Sequence, residues 1–337
     1  MTGSGESRLR FGILGCGSAA RRLFIPGLIG SQRAALSAVA AKDPRRARSF
    51  AEESGCGWSP SYEALLARED VDVVYVSLPI ALHAEWAIRA LEAGKHVYCE
   101  KSLAPSLPEA ESILACADKR GRRVMEGFMY RFHPLFRSVQ QALSGGELGR
   151  LRSFVGSFGF TLPPGDALRR DPGMGMGALN ETGCYPVSAA RLLFGGIPRS
   201  VFARLDSAGG IDRSGSVLLG FASGDAYCDF GYDRAYRCDY TLWGTMGRLW
   251  VDRAFTTPPD LEPVIHLSLP DGPRERRVAP ENHFSRAIDA FCSAILSGGD
   301  REVFECDARD QAIVMEALRV SARESRPVEP AAVGARA

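Results

Sequence analysis

Apolar residues fall along this chain in two patterns. In the first, short unbroken apolar runs alternate with amphipathic segments. The runs are RFGILG at 10–15, LSAVAA at 36–41, VDVVYVSL at 71–78, KHVYC at 95–99 and RRVM at 122–125. Residues 19–30, 45–54, 81–93 and 106–120 lie between them and read as helices. The 81–93 segment sets Leu82, Trp86, Ile88, Ala90 and Leu91 at helical spacing and stops at Gly94. The 106–120 segment opens with Ser106 and Glu109 in a capping-box arrangement and stops at Gly121. Continuous apolar strands alternating with helices predict βαβ units and a parallel sheet covered on both faces. Residues 8–126 are therefore expected to form an α/β domain built on a parallel sheet.

The second pattern is a series of strands without helices between them: 151–162, 200–206, 215–222, 226–232, 239–243, 248–252 and 264–269. Turn signals such as Ala-Ser-Gly-Asp at 222–225 and Thr-Met-Gly at 245–247 join them. Helical patterns lie at 134–144, 184–194, 283–297 and 307–324. Residues 127–325 thus predict an α+β domain with a mainly antiparallel sheet. Residues 1–7 and 326–337 lack structure-forming pattern and are expected to be disordered.

Composition narrows the classes. At 337 residues the chain suits two domains and a sizeable core. A net charge of +1 gives no global footprint for nucleic acid or an anionic membrane, so neither is expected as a partner. No apolar run approaches the roughly 20 residues needed to span a bilayer, and MTGSGESR has no apolar signal-peptide region. The nine cysteines contain no C-x-x-C pair, and most sit in apolar runs. They read as the reduced thiols of a cytoplasmic protein.

Gly15-Cys16-Gly17-Ser18-Ala19-Ala20 fits G-x-G-x-x-A between the first strand and the first helix. The first glycine permits a tight turn, the second admits a pyrophosphate against the backbone, and the small third residue allows close helix–strand packing. The second strand ends in Ala40-Ala41-Lys42-Asp43-Pro44-Arg45-Arg46. An NAD site places an acid where Ala41 stands. Lys42, Arg45 and Arg46 instead suit a 2′-phosphate, so NADP(H) is expected over NAD(H), with Asp43 two residues away as the opposing signal. No His, Cys or carboxylate grouping has metal-ligand spacing, so no metal is expected. The glycine-, proline- and arginine-rich stretch 162–177 reads as a mobile loop over the active site, and its Arg169 and Arg170 could meet a diphosphate.

These motifs carry a resemblance. GILGCGSAA at 12–20, SYEALLAREDVDVVYVSLP at 61–79, AGKHVYCEKSLA at 93–104, EGFMYRFHP at 126–134, GALNETGCYP at 177–186 and WGTMGRL at 243–249 resemble the Gfo/Idh/MocA oxidoreductases over residues 10–325. Within that family the chain looks most like the sugar 3-ketoreductases of deoxysugar pathways. The resemblance implies a Rossmann domain followed by an open-faced, mainly antiparallel sheet. It also implies a homodimer or homotetramer through that sheet.

It further implies site roles. Lys101 takes the lysine position of the family's E-K-P motif, just beyond a strand end, and Glu100 holds Lys101 or the nicotinamide ribose. Ser102 stands where the family has proline. Tyr185, where many members carry histidine, becomes the general acid with Lys101 as partner. Glu181 replaces the usual aspartate and, with Asn180, would bind substrate hydroxyls. Leu78, Pro79 and His83 would line the cofactor. Phe128, Met129 and Tyr130 would wall the pocket, and His133 would pack. The implied function is NADPH-dependent reduction of a keto-sugar, a nucleotide-linked 3-keto-6-deoxyhexose, in deoxysugar biosynthesis. One alternative is an NAD(P)-dependent dehydrogenase of a free sugar, inositol or dihydrodiol. Another, motivated by Ser102 and Glu181, is a redox-neutral or regulatory protein that keeps the cofactor fold.

Overall fold

Strand β1 (Leu9–Leu14) is central to a six-stranded parallel sheet in the computed structural model, which describes residues 8–299 and 301–335. Its companions are β2 (Ala34–Ala40), β3 (Gly57–Ser59), β4 (Val73–Val76), β5 (His96–Cys99) and β6 (Val124–Glu126), in the order β3-β2-β1-β4-β5-β6. The helices between them are α1 (Ile25–Gly30), entered through a π-helical turn at Ala20–Phe24, α2 (Pro44–Ser54), α3 (Tyr62–Leu66), α4 (His83–Glu92) and α5 (Leu107–Arg120). All four residues of β4 are buried, as a strand covered on both faces requires. Strand order reverses between β1 and β4, which opens a crevice at the carboxyl ends of the strands. The loops after β1, β4 and β5 meet that crevice, and they carry the glycine motif, Leu78 and Lys101.

The second sheet has eight strands: β7 (Leu151–Thr161), β8 (Ser200–Ala208), β9 (Ile211–Gly220), β10 (Asp225–Gly231), β11 (Asp233–Gly244), β12 (Arg248–Asp252), β13 (Val264–Leu269) and β14 (Gly272–Arg277). Their order is β14-β13-β12-β11-β7-β10-β9-β8, antiparallel except for β7 with β10. Helices α6 (Pro134–Ser144) and α7 (Cys184–Phe194) belong to the same unit. His133 caps α6, its Nδ1 accepting from the Leu135 amide at 2.9 Å. One sheet face is buried, with Phe154, Phe230, Tyr240 and Leu242 fully enclosed. On the other face, register aligns Phe202, Leu218, Tyr227, Val155, Thr241 and Trp250 in one row across six strands. Phe202, Leu218, Tyr227 and Val155 are 39–50% exposed, which leaves an apolar open face.

The structure redraws three expectations. The C-terminal part is not one continuous block: one compact unit takes the chain up to Ala104 with Glu109–Phe132 and Asn282–Ala308, and the other takes Pro105–Pro108, His133–Glu281 and the chain from Arg309 on. Helix α8 (His283–Ser297) thus returns to the first unit. There Phe284 and Phe291 meet Phe24 and Tyr98 edge-on at 6.5 and 6.1 Å. Ser285 donates to the Gly27 carbonyl at 2.8 Å, and Asp289 accepts from Ser31 Oγ and the amides of Gln32 and Arg33. Arg123, beside β6, forms a buried two-pronged ion pair with Glu305 (2.6 and 2.9 Å). Sequence adjacency hides this because the partners lie up to 260 residues apart. Next, residues 326–335, expected to be disordered, are ordered. Beyond α9 (Asp307–Glu324), Val328 exchanges backbone bonds with Val201 at 2.8 and 2.9 Å, and α10 (Pro330–Gly334) follows. Residues 1–7, 336 and 337 lie outside the described residues. Last, the strands β3 and β14 carry no periodic signal. Each is a sheet edge, and the charged GPRERR of β14 suits an exposed edge. No helix among the described residues is long and apolar enough to cross a membrane.

Candidate active site

The glycine motif follows β1, where a dinucleotide would enter. Gly15 has φ +99°, and a Cβ there would lie 2.3 Å from the Ser77 carbonyl oxygen. The turn therefore requires glycine. Gly17 has no positive φ, and a Cβ there would meet nothing within 4 Å. Folding makes no demand at Gly17, and the space over the following helix start is open for a pyrophosphate. Ser18 and Ala19 are exposed at the helix start, and Ala20 is buried against the sheet. Cys16 is buried, its thiol directed at the Ala40 carbonyl (3.8 Å), and burial pushes its pKa up to about 11. It shapes the loop as an un-ionised thiol.

After β2, Ala41 is buried, while Lys42, Arg45 and Arg46 are exposed. Asp43 caps α2 by accepting from the Arg45 amide at 2.9 Å, which holds its carboxyl below the usual range. The opposing acid thus has a local structural task. Arg46 donates to the Cys16 carbonyl at 2.7 Å, joining the cationic edge to the glycine loop. A 2′-phosphate fits this corner: three cations border it, and the acid near them is a helix cap. When bound there, NADP(H) would be held by the Gly17 space and helix start at its pyrophosphate and by Lys42, Arg45 and Arg46 at its phosphate.

Beyond β4 and β5 the chain brings Leu78, Pro79, Glu100 and Lys101 to the same crevice. Tyr75 donates its hydroxyl to Glu100 in a short hydrogen bond, which fixes that carboxylate beside Lys101. The Lys101–Ser102 peptide bond is cis. His83 departs from expectation. It is completely buried, and its Nδ1 and Nε2 each lie 2.8 Å from a carbonyl oxygen, of Ser102 and Leu78 respectively. Burial, with the Lys101 ammonium adding to it, lowers its pKa although both carbonyls favour the charged ring. His83 therefore clasps the two loops together rather than presenting its ring to a ribose. Phe128 and Tyr130 also depart: both are fully enclosed, edge to face at 6.1 Å, and present no wall to a ligand.

In the second unit, a π-helical turn at Leu179–Gly183 leads into α7 and carries Asn180, Glu181 and, four residues on, Tyr185. Tyr185 is almost wholly buried, with Phe158 at 5.3 Å and Phe255 at 5.7 Å. Glu181 accepts from Arg169 through Nε and Nη2 and from the Tyr232 hydroxyl at 2.8 Å. Arg169 also pairs with Asp166 at 2.8 Å, and the two carboxylates raise its pKa although burial opposes them. The stretch expected to be a mobile loop is thus pinned to the π-turn through Arg169. Asn180 is buried: its amide donates to the Gly175 carbonyl at 2.9 Å, and its oxygen accepts from Arg319 at 2.7 Å. Asn180 thus braces the turn from within.

Sequence reasoning missed Tyr232, Arg319 and Arg213. Tyr232 lies 51 residues from Glu181 and Arg319 lies 139 from Asn180, so only strand register and α9 bring them together. Arg213 and Tyr232 line, with Leu162, Arg169, Arg170 and Ile211, a cleft of about 320 Å³ in this unit. Among the described residues no group of three or more His, Cys, Asp or Glu side chains is placed to hold a metal ion.

A nucleotide-binding crevice on a Rossmann sheet, followed by an open-faced mixed sheet, defines an oxidoreductase scaffold, and comparison with known proteins agrees. Residues 9–128 match the oxidoreductase family with the NAD-binding Rossmann fold, and residues 136–250 match the GFO/IDH/MocA C-terminal domain. The chain belongs to the Gfo/Idh/MocA family of NAD(P)-dependent oxidoreductases. It is 38% identical over 329 residues to a dTDP-3,4-didehydro-2,6-dideoxy-alpha-D-glucose 3-reductase of Actinomadura kijaniata, covering 94% of this chain and 96% of that one. A D-xylose 1-dehydrogenase (NADP(+)) of Haloferax volcanii is 34% identical, covering 95% and 99%. The crystal structure of KijD10, a 3-ketoreductase from A. kijaniata in complex with NADP and TDP-benzene, superposes with a TM-score of 0.89 at 38% identity, covering 94% and 98%. Structures of that 3-ketoreductase also exist with one tyrosine changed to phenylalanine and one lysine changed to alanine, at positions 84 residues apart. Lys101 and Tyr185 are likewise 84 residues apart.

Proposed function

We propose that this protein is an NADPH-dependent 3-ketoreductase of a dTDP-linked keto-deoxysugar, acting in deoxysugar biosynthesis in the cytoplasm. The observation that carries this reading is the likeness to the A. kijaniata reductase across 94% of the chain. The cationic corner at Lys42, Arg45 and Arg46 supports the choice of NADPH. When bound, NADPH supplies the hydride. Tyr185 gives its phenolic proton to the alkoxide formed at C3, and the Lys101 ammonium stabilises that developing charge. The matching 84-residue spacing supports this pair of roles. Glu100, tethered by Tyr75, positions Lys101. Glu181 contributes by fixing Arg169 and Tyr232.

The test is NADPH consumption with a dTDP-3-keto-2,6-dideoxyhexose, beside NADP⁺ reduction with free D-xylose. Turnover of the nucleotide sugar, lost in Lys101→Ala and Tyr185→Phe, is the expected result. Turnover of xylose alone would favour the dehydrogenase reading that the H. volcanii relative represents. Assembly belongs to the same proposal: the open sheet face with Phe202, Leu218, Tyr227 and Val155 is the surface through which copies of the chain pair. Its support is the contiguous exposed apolar row, which a solvated monomer face rarely carries.

A further inference from the structure

The π-turn that leads to Tyr185 is capped by a side chain from a distant strand. Ala178, at the head of the turn, makes no side-chain cap. Instead the Leu179 amide donates to Oδ2 of Asp212, the second residue of β9, at 2.5 Å. A carboxylate at a helix start is also favoured by the helix dipole. The other carboxylate oxygen lies so close to the chain that a Cβ at residue 177 would stand 2.2 Å from Oδ1. Gly177, with φ +124°, therefore meets two demands, its own backbone conformation and the approach of Asp212.

The capped residue is also the one that defines the π geometry. The Leu179 carbonyl accepts from the Cys184 amide, five residues on, and Tyr185 follows directly. In α-helical register that carbonyl would accept from Gly183, one residue earlier and about 100° round the helix. Leu179 is thus held at its N–H by Asp212 and at its C=O by the residue before the proposed acid. Arg319 on α9 secures the next position: it donates to Asn180 Oδ1 at 2.7 Å and pairs with Glu316 at 3.2 Å. Burial raises the Asp212 pKa, while the Leu179 amide and the Arg319 charge pull it down. Two segments remote in sequence, β9 and α9, therefore grip the first two residues of the turn. The third is Glu181, which holds Arg169 and Tyr232. Single π-turns inside helices are rare and frequently mark functional sites.

We infer that Asp212 is a positioning residue for the reduction: by capping Leu179 it holds the turn in π register and so sets where Tyr185 presents its hydroxyl. This rests on the 3-ketoreductase reading with Tyr185 as the acid. The effect passes through the Leu179 peptide and its bond to Cys184, not through contact with the substrate.

The experiment measures steady-state NADPH oxidation with a dTDP-3-keto-2,6-dideoxyhexose in wild type, Asp212→Ala, Asp212→Asn and Asp212→Glu. Asparagine keeps an oxygen at the same reach for the Leu179 amide. Glutamate keeps the charge but carries its carboxylate one methylene too far. The Ala and Glu variants should lose roughly 10- to 100-fold in kcat with KM little changed, and Asp212→Asn should keep most of the wild-type kcat. The solvent deuterium isotope effect on kcat should rise in the slow variants, because delivery of the Tyr185 proton becomes the slow step, and a mere loss of stability would not move it. If Asp212→Ala does not fold, the Asn and Glu pair carries the same comparison. Wild-type kcat in Asp212→Ala or Asp212→Glu, or a rise in KM with kcat held, overturns the positioning role and leaves the reductase reading intact. An Asn variant as slow as Glu overturns the Leu179 hydrogen bond as its source. A lower kcat with an unchanged isotope effect overturns the link to Tyr185. Absence of turnover in the wild-type protein overturns the reductase reading itself.

Discussion

Replacing each glycine of the nucleotide loop with alanine separates folding from binding. At Gly15 the new Cβ would sit 2.3 Å from the Ser77 carbonyl oxygen, and the φ of +99° is one that L-residues rarely adopt. Backbone strain of this kind costs on the order of 1–3 kcal/mol before any clash, so Gly15→Ala should lose about 3 kcal/mol or more. At roughly 2–4 °C per kcal/mol for a unit of this size, the melting temperature falls by about 6 °C or more. At Gly17 the same methyl meets nothing within 4 Å and the backbone is unstrained. The apoprotein should keep its stability to within about 1 kcal/mol, since alanine also restricts the unfolded chain. The methyl enters the space proposed for the pyrophosphate, so NADPH affinity falls at least about 10-fold, or about 1.4 kcal/mol. Thermal melting of the apoprotein and NADPH fluorescence titration read the two effects independently. Wild-type NADPH affinity in Gly17→Ala would refute the assignment of that space.

Three further outcomes follow. Arg123 and Glu305 are 9% and 6% exposed, so Glu305→Gln strands a buried guanidinium and should cost about 3–5 kcal/mol in denaturant unfolding. Arg123→Met with Glu305→Leu should recover part of that loss, and a single variant as stable as wild type would show that the pair does not fasten α8. His96 accepts from the Arg123 amide through Nδ1 at 3.0 Å; burial first, then the charges of Arg122 and Arg123, lower its pKa to about 4. The unfolded chain therefore takes up a proton near pH 6.5 that the fold refuses, so this contribution is complete above pH 6.5. It is lost as pH falls towards 4, by up to roughly 3 kcal/mol, and His96→Gln should flatten that slope in pH-dependent melts. Finally, Leu218→Asp on the open sheet face should convert the assembly to monomers in sedimentation, and an unchanged oligomer would move the interface elsewhere.

The Rossmann half was legible because its signals are local. The buried β4 run, the glycine turn and the Lys42–Arg46 cluster each occupy a few consecutive residues, and backbone sterics and strand burial act at that range. The second sheet was legible where strands alternate, and it was lost at β14, whose charged edge needs no apolar face. The site divided in the same way. Gly15, Gly17 and Lys101 lie in the loops that follow β1 and β5. His83, Phe128, Tyr130 and Asn180 had the right residue types but turned inward. Sequence cannot show which way such a side chain points, because that depends on partners further along the chain: Ser102 for His83, and Arg319 for Asn180.

By itself, then, the sequence determined two domains, a dinucleotide loop and a cationic corner beside it. Only the tertiary structure decided that α8 closes the first unit, that Glu181 is held by Arg169 and Tyr232, and that Arg170 and Arg213 share one cleft. Local motifs are read from backbone geometry and short-range burial. Charge pairing and cleft lining depend on which distant segments the sheets bring into register.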